Sequence, residues 1–382
     1  MSACLLYFTL QTTFVSSYGY PIEAHQDIQT EDGYLLDIFR IPYGRTKTGS
    51  RKKRRPVVFL MHGLLSNAEN WIIGGPQKGL AFLLADRGYD VWMGNSRGSV
   101  RKHVSLSPRH NDFWEFSWHE IGIYDLPASI NYILGYTKKT KLFYIGHSQG
   151  TTAYFVMVTE KPHFNANITL MAALAPVAYM KHVPHPVLRS LAHVMTVTRD
   201  LDAEYLVQSF INLLGHRELI PNREVLSLAG QALCKRRSVI QEMCINIIFL
   251  ISGYDSDQFD KSLLPLIVQT LPAGSSIKQF FHYTQEVFSG YFRQFNYGSH
   301  ENVIKYGSVV PPAYNLSLAT APIALFHSKN DWLVSILLDR GRTRAAAAAA
   351  RTREDFALVQ GLTVALVMGL TALAAGKLWL RH

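Results

Sequence analysis

The stretch KLFYIGHSQGTTAYFVMVTEK, residues 141–161, constrains this chain more than any other. A short apolar run enters Gly146-His147-Ser148-Gln149-Gly150, and a helix-forming run leaves it. Gly-x-Ser-x-Gly between a strand and a helix describes a sharp turn. It lifts the serine oxygen clear of the backbone and aims the following amide, here that of Gln149, at a developing oxyanion. A serine hydroxyl is a poor nucleophile at neutral pH until a base takes its proton. The pattern therefore asks for a histidine elsewhere in the chain.

The flanking sequence repeats the same rhythm. GYLLDIFRIPY, RPVVFLMHGLL, YDVWMGNSRGS, TLMAALAPVAYM and APIALFHSKND read as strands bounded by turn residues. GLAFLLADRG has helical spacing and stops at Gly88, and EIGIYDLPASINYILGYT is long and amphipathic enough for a helix. Strands alternating with helices predict an α/β fold with a mostly parallel sheet covered on both faces. The rhythm stops from Pro176 to about Tyr314, where the chain is mainly helical and amphipathic, and this stretch reads as an inserted cap. The expected organisation is a signal-like segment at 1–17, core at 18–177, cap and lid at 178–313, core again at 314–335, and a tail at 336–382.

The formal charge of +10 is concentrated in RKKRR at Arg51–Arg55 and in five arginines between Arg340 and Arg353. The first cluster lies in a Gly-, Ser- and Thr-rich loop just before a strand, and no nucleic-acid module accompanies it, so it reads as a solvated loop. Of the three cysteines, Cys234 and Cys244 are close enough in sequence for a local bridge, and no Cys/His spacing suggests a metal. MSACLLYFTLQTTFVS resembles a signal-peptide core without a charged beginning. Sequons at Asn167 and Asn315 agree with a secretory route and, with the cysteine pair, favour an oxidising compartment. Phe356–Gly376 holds 21 residues without a charge, enough for the roughly 20 residues of a membrane span and hence for membrane anchoring. The basic residues upstream of it favour the opposite orientation to the one the sequons require.

The remaining catalytic parts follow from the order of elements. His62-Gly63 closes the apolar VVFLM, so the amide of Leu64 is expected as a second oxyanion donor beside that of Gln149. His62 itself reads as structural. Asp331, at the end of a late strand, is the expected charge-relay acid. The base should come next, yet after Asp331 the only histidine is His382. His327 is the nearest substitute, and His147 points wrongly from inside the turn.

These residues and their order resemble an acid lipase of the gastric and lysosomal type, in an insect-like version, within the α/β-hydrolase superfamily. HGLLSNAENWI, LADRGYDVWMGNSRG, FWEFSWHEIGIYDLPASINYI, GHSQGTT, PAGSSIKQFFHYTQ and PPAYNLS match that family's blocks in order, from about Tyr18 to about Val334. The resemblance implies Ser148 as nucleophile, Asp331 as charge-relay acid, the Leu64 and Gln149 amides as oxyanion hole, and Cys234 with Cys244 as the cap disulfide. It also implies neutral-lipid substrates, triacylglycerols or cholesteryl esters, cleaved through an acyl-enzyme at a lipid–water interface without metal or organic cofactor and without a nucleic-acid partner. The family's His-x-Asp-Phe block after the acid is absent from this sequence, and the chain beyond about Ser335 does not match. The alternative reading is therefore a catalytically impaired, lipid-binding or membrane-tethered relative.

Overall fold

The computed structural model describes residues 12–45, 55–183, 189–190, 217–219 and 261–326 of the chain. Asp331, His327, Cys234, Cys244 and the apolar stretch 356–376 lie outside the described residues. Among the described residues, no helix is long and apolar enough to cross a membrane.

Seven strands form one sheet: β1 (Glu23–Gln29), β2 (Leu35–Ile41), β3 (Val57–Met61), β4 (Asp90–Gly94), β5 (Leu142–His147), β6 (Ile168–Leu174) and β7 (Ile323–Phe326), in the order β1-β2-β4-β3-β5-β6-β7. β1 and β2 run antiparallel to their neighbours, while β4-β3-β5-β6-β7 are parallel throughout. Every residue of β3 and β4 is buried. That is the expectation for strands covered on both faces, and it explains why they read as unbroken apolar runs.

The pleat sorts these side chains into two cores. Val57, Phe59 and Met61 face α2 (Leu126–Thr137) and α3 (Gln149–Glu160), against Ile130, Ile133, Ala153 and Val156. Val58 and Leu60 face the opposite layer, where α1 (Leu80–Asp86) contributes Leu80, Phe82 and Leu84. Gly88 ends this helix region in the left-handed region at φ 92°, as its position in the sequence suggests. The chain leaves β3 to build β4 on one side and β5 on the other. The turns that follow β3 and β5 thus lie side by side at the carboxyl ends of these central strands, the edge at which open α/β sheets bind ligands.

Two features depart from the sequence expectation. EAHQDIQ forms edge strand β1 although only Ile28 among its residues is fully buried; a bulge between His25 and Ile28, with Asp27 at φ 57°, interrupts its alternation. The amphipathic helix expected over 120–137 contains a π-helical turn at Ile121–Asp125 before α2 begins. There Gly122 packs so closely on α3 that a Cβ would stand 2.6 Å from that of Val156.

From residue 261 on, the described chain includes α4 (Leu264–Thr270), α5 (Ile277–Ser289) and α6 (Ser299–Tyr306) before returning to β7. α5 is anchored by its Ser276 cap, which accepts from the Gln279 amide, and by His282, which stacks on Trp118 at 3.6 Å and donates through Nε2 to the Arg293 carbonyl. One turn on, Glu286 is 1% exposed, and among the described residues neither carboxyl oxygen has a hydrogen-bond partner. Burial pushes this carboxyl well above its ordinary value near 4.5, against the opposing charge of Arg293. The fold thus retains a proton that the unfolded chain releases. The stability linked to it is complete below about pH 4.5 and is lost as pH rises toward the folded value. Scanning calorimetry of Glu286→Gln from pH 4.5 to 8 is expected to give a thermal midpoint that falls less with pH than that of the wild type. Equal slopes would exclude this carboxyl as the source.

Candidate active site

β5 ends at His147 and α3 begins at Gln149, so one residue, Ser148, makes the whole turn. Its backbone sits at φ 50°, ψ −115°, a conformation that costs a non-glycine residue about 1–3 kcal/mol and persists only where neighbours over-determine it. The Ser148 N–H donates to the Leu174 carbonyl at 2.9 Å, and the Thr151 N–H and Oγ1 both donate to the Ser148 carbonyl, at 2.8 and 2.6 Å. The flanking glycines are required by close approach. A Cβ on Gly150 would lie 2.4 Å from the Met61 carbonyl oxygen, and one on Gly146 would lie 2.8 Å from the Gly150 carbonyl carbon. The side chain of Ser148 is left half-buried at the carboxyl edge of the sheet.

The loop after β3 passes directly beside it. A Cβ on Gly63 would stand 3.1 Å from the Ser148 Cβ and 3.2 Å from His147 Nδ1. Leu64 follows, half-buried against the core, and Leu65 takes φ 59° while its carbonyl accepts the Ala273 amide at 2.7 Å. Gln149 is the first residue of α3, so its amide has no partner within the helix and lies at the helix's positive end. Three of the sequence-derived site residues, Ser148, Gln149 and Leu64, therefore stand on adjoining turns at the carboxyl edge of the sheet.

The histidines there have other tasks. The His62 Nδ1 donates to the Gly63 carbonyl at 2.8 Å, and its Nε2 accepts the Ser96 amide at 3.1 Å. Both ring nitrogens are thereby used in the neutral tautomer, and burial lowers the ring to about 4. This is the structural role the sequence suggested. His147 is also brought down to about 4 by burial, and among the described residues its Nδ1 has no hydrogen-bond partner.

A second layer holds the loops in place, and the sequence did not reveal it. Arg97, 1% exposed, donates from its backbone and from Nε to the two oxygens of buried Asp125, each at 2.8 Å, and from its two terminal nitrogens to Asp32 at 2.5 and 2.9 Å. Its guanidinium lies over the Tyr34 ring at 4.1 Å. Burial raises Asp125 despite the Arg97 charge, whereas at Asp32 the Arg97 bonds outweigh burial and hold the carboxyl down. Next to Arg97, Ser96 holds His62, and Asn95 accepts from the Ala68 amide. The one trace of this cluster in the sequence is Asp125, a charged residue on the apolar side of a helix, which signals a buried partner without naming it.

The two sequon asparagines differ. Asn315 is exposed and its Oδ1 caps the Leu316–Leu318 turn, whereas the Asn167 side-chain amide donates to the Thr140 carbonyl.

Comparison with known proteins gives the family. A family profile described as a partial alpha/beta-hydrolase lipase region matches residues 12–75, and one described as alpha/beta hydrolase fold matches residues 56–344. The chain is 42% identical to Lipase 3 of Drosophila melanogaster over 320 residues, covering 83% of this chain and 78% of that protein. It is 38% identical to the gastric triacylglycerol lipase of Rattus norvegicus, over 84% of this chain and 78% of the relative. To Lipase member K of Homo sapiens it is 38% identical, over 83% and 76% respectively.

Proposed function

This chain belongs to the lipases of the α/β-hydrolase family, and from that premise we propose that it hydrolyses neutral lipid esters through an acyl-enzyme on Ser148. The carrying observation is the strained Ser148 backbone at the strand–helix junction, with the 62–65 loop alongside. Membership makes the chain a carboxylic ester hydrolase by family. Because these relatives are lipases by name, hydrolysis is favoured over lipid binding without turnover.

In this reading Ser148 Oγ attacks the ester carbonyl carbon while a base takes the hydroxyl proton. The tetrahedral oxyanion forms toward the Leu64 and Gln149 amides. Such donors act on charge that appears only during the reaction, and each is worth about 10²–10³ in rate. The intermediate collapses, the protonated alcohol departs, and the acyl group stays on Ser148 until water releases it as a fatty acid. Asp331 is assigned as the charge-relay acid. His62 is unsuited as the base because both its nitrogens are engaged. His327, which precedes Asp331 by four residues in the sequence, is the substitute to test, and unchanged residual hydrolysis in His327→Ala would remove it.

Triacylglycerols are the first substrates to assay, given the printed name of the gastric relative, with cholesteryl esters second. A location in the secretory or lysosomal lumen is supported by the signal-like start and the exposed sequon at Asn315. The direct test is to treat the full chain with a fluorophosphonate and map the adduct by mass spectrometry, alongside fatty-acid release from emulsified triacylglycerol. Phosphonylation at Ser148 together with fatty-acid release is expected. An adduct confined to another residue would refute the assignment.

A further inference from the structure

The elbow is held by more than its own turn. Beyond β6 the chain runs past Ser148 as LAPV, with Ala175 at φ 51°, and is stitched to the first turn of α3 at three points. Leu174 accepts the Ser148 amide at 2.9 Å, the Val177 amide donates to Thr151 Oγ1 at 2.9 Å, and Thr152 Oγ1 donates to the Val177 carbonyl at 2.9 Å. Thr151 Oγ1 itself donates to the Ser148 carbonyl at 2.6 Å. Each threonine hydroxyl therefore both donates and accepts, and the two form one connected network around a backbone that would otherwise relax.

The network does not end in the sheet. On α5, a helix far away in sequence, the Tyr283 hydroxyl donates to Thr152 Oγ1 at 3.0 Å. Tyr283 is 6% exposed and its ring lies 5.7 Å from that of Trp118, so its position is set by packing and its hydroxyl has little freedom to turn elsewhere. The Gln149 side chain is buried alongside the same hydroxyl.

From this chain of bonds we infer that Tyr283 is a positioning residue for Ser148, acting through Thr152, Val177 and Thr151 to fix the elbow from helix α5. The role is distinct from that of any group touching substrate. It makes the geometry of the attacking serine depend on the seating of α5, so displacement of that helix would be felt at the reacting oxygen. Buried networks of this kind are coupled, and the loss of one member is transmitted to the next. The inference rests on Ser148 being the nucleophile.

The test uses the full chain with Tyr283→Phe, Thr152→Val, Thr152→Ser and the double variant Tyr283→Phe/Thr152→Val. Readouts are the rate of fluorophosphonate labelling at Ser148, kcat and KM on a short-chain ester, and the thermal midpoint. Phenylalanine keeps the ring packing and removes one hydrogen bond. Labelling and kcat are expected to fall about two- to tenfold, the effect of one such bond, with KM unchanged. Thr152→Ser restores the hydroxyl and is expected to recover the rate. The double variant should be no slower than Thr152→Val alone, because the two side chains act in series. Wild-type labelling in Tyr283→Phe, or effects that multiply in the double variant, would overturn the relay while leaving the nucleophile in place. Wild-type protein labelled at a residue other than Ser148 would overturn the nucleophile and the relay together.

Discussion

Ser148→Ala is expected to lower ester hydrolysis by at least about four orders of magnitude while the protein still folds, because the covalent intermediate can no longer form. What survives is the contribution of the oxyanion donors and of substrate binding, about 10³–10⁴-fold over water in triad enzymes. Ser148→Gly sharpens the test. It removes the same hydroxyl and also relieves the cost of φ 50°, about 1–3 kcal/mol. Its unfolding midpoint should therefore rise as its activity disappears. Opposite movements in the two measurements would mark the elbow as a site where stability is given up for reactivity. Full hydrolysis by either variant would end the assignment of Ser148. A glycine variant no more stable than the wild type would show that the surrounding bonds, not the serine, set this backbone conformation.

The second large effect is expected at Arg97, which touches no substrate in this reading. Arg97→Ala removes the cation from between Asp125 and Asp32 and leaves Asp125 buried without its partner. Breaking one side of a buried ion pair costs about 3–5 kcal/mol, a large share of the stability of most domains. The urea midpoint should drop by that equivalent with an unchanged slope. Arg97→Lys should recover only part of it, since a single ammonium cannot reproduce the paired bonds to two carboxylates. A shift below about 1 kcal/mol would place this cluster with ordinary surface pairs. Activity should fall as well, because Ser96 beside Arg97 holds the His62 ring and through it the loop that carries Leu64.

The elements that carried their own local signal were legible in advance. β3, β4, β5 and β6 are buried on both faces, so each shows as an apolar run, and Gly88 marks the end of α1 by the conformation it adopts. The elbow was legible because its two glycines answer to contacts within the motif or with the adjacent strand. β1 was not, since its residues owe their strand conformation to pairing with β2 and to the bulge at Asp27. The π-helical turn was hidden for a similar reason. It exists where Gly122 lets the chain press against Val156, a contact invisible to helical periodicity.

The sequence by itself determined that a parallel sheet would form and that Ser148 would stand on a turn at its carboxyl edge, because period, turn chemistry and glycine placement act over a few residues. Only the tertiary structure decided what surrounds that serine. It brought the 62–65 loop against Ser148, tied up both nitrogens of His62, sank Arg97 between Asp32 and Asp125, and set the Tyr283 hydroxyl on Thr152. The physical reason is separation along the chain. Contacts between distant residues are selected by how two faces of a sheet pack and by which buried polar atoms can find partners, and no local pattern records that choice.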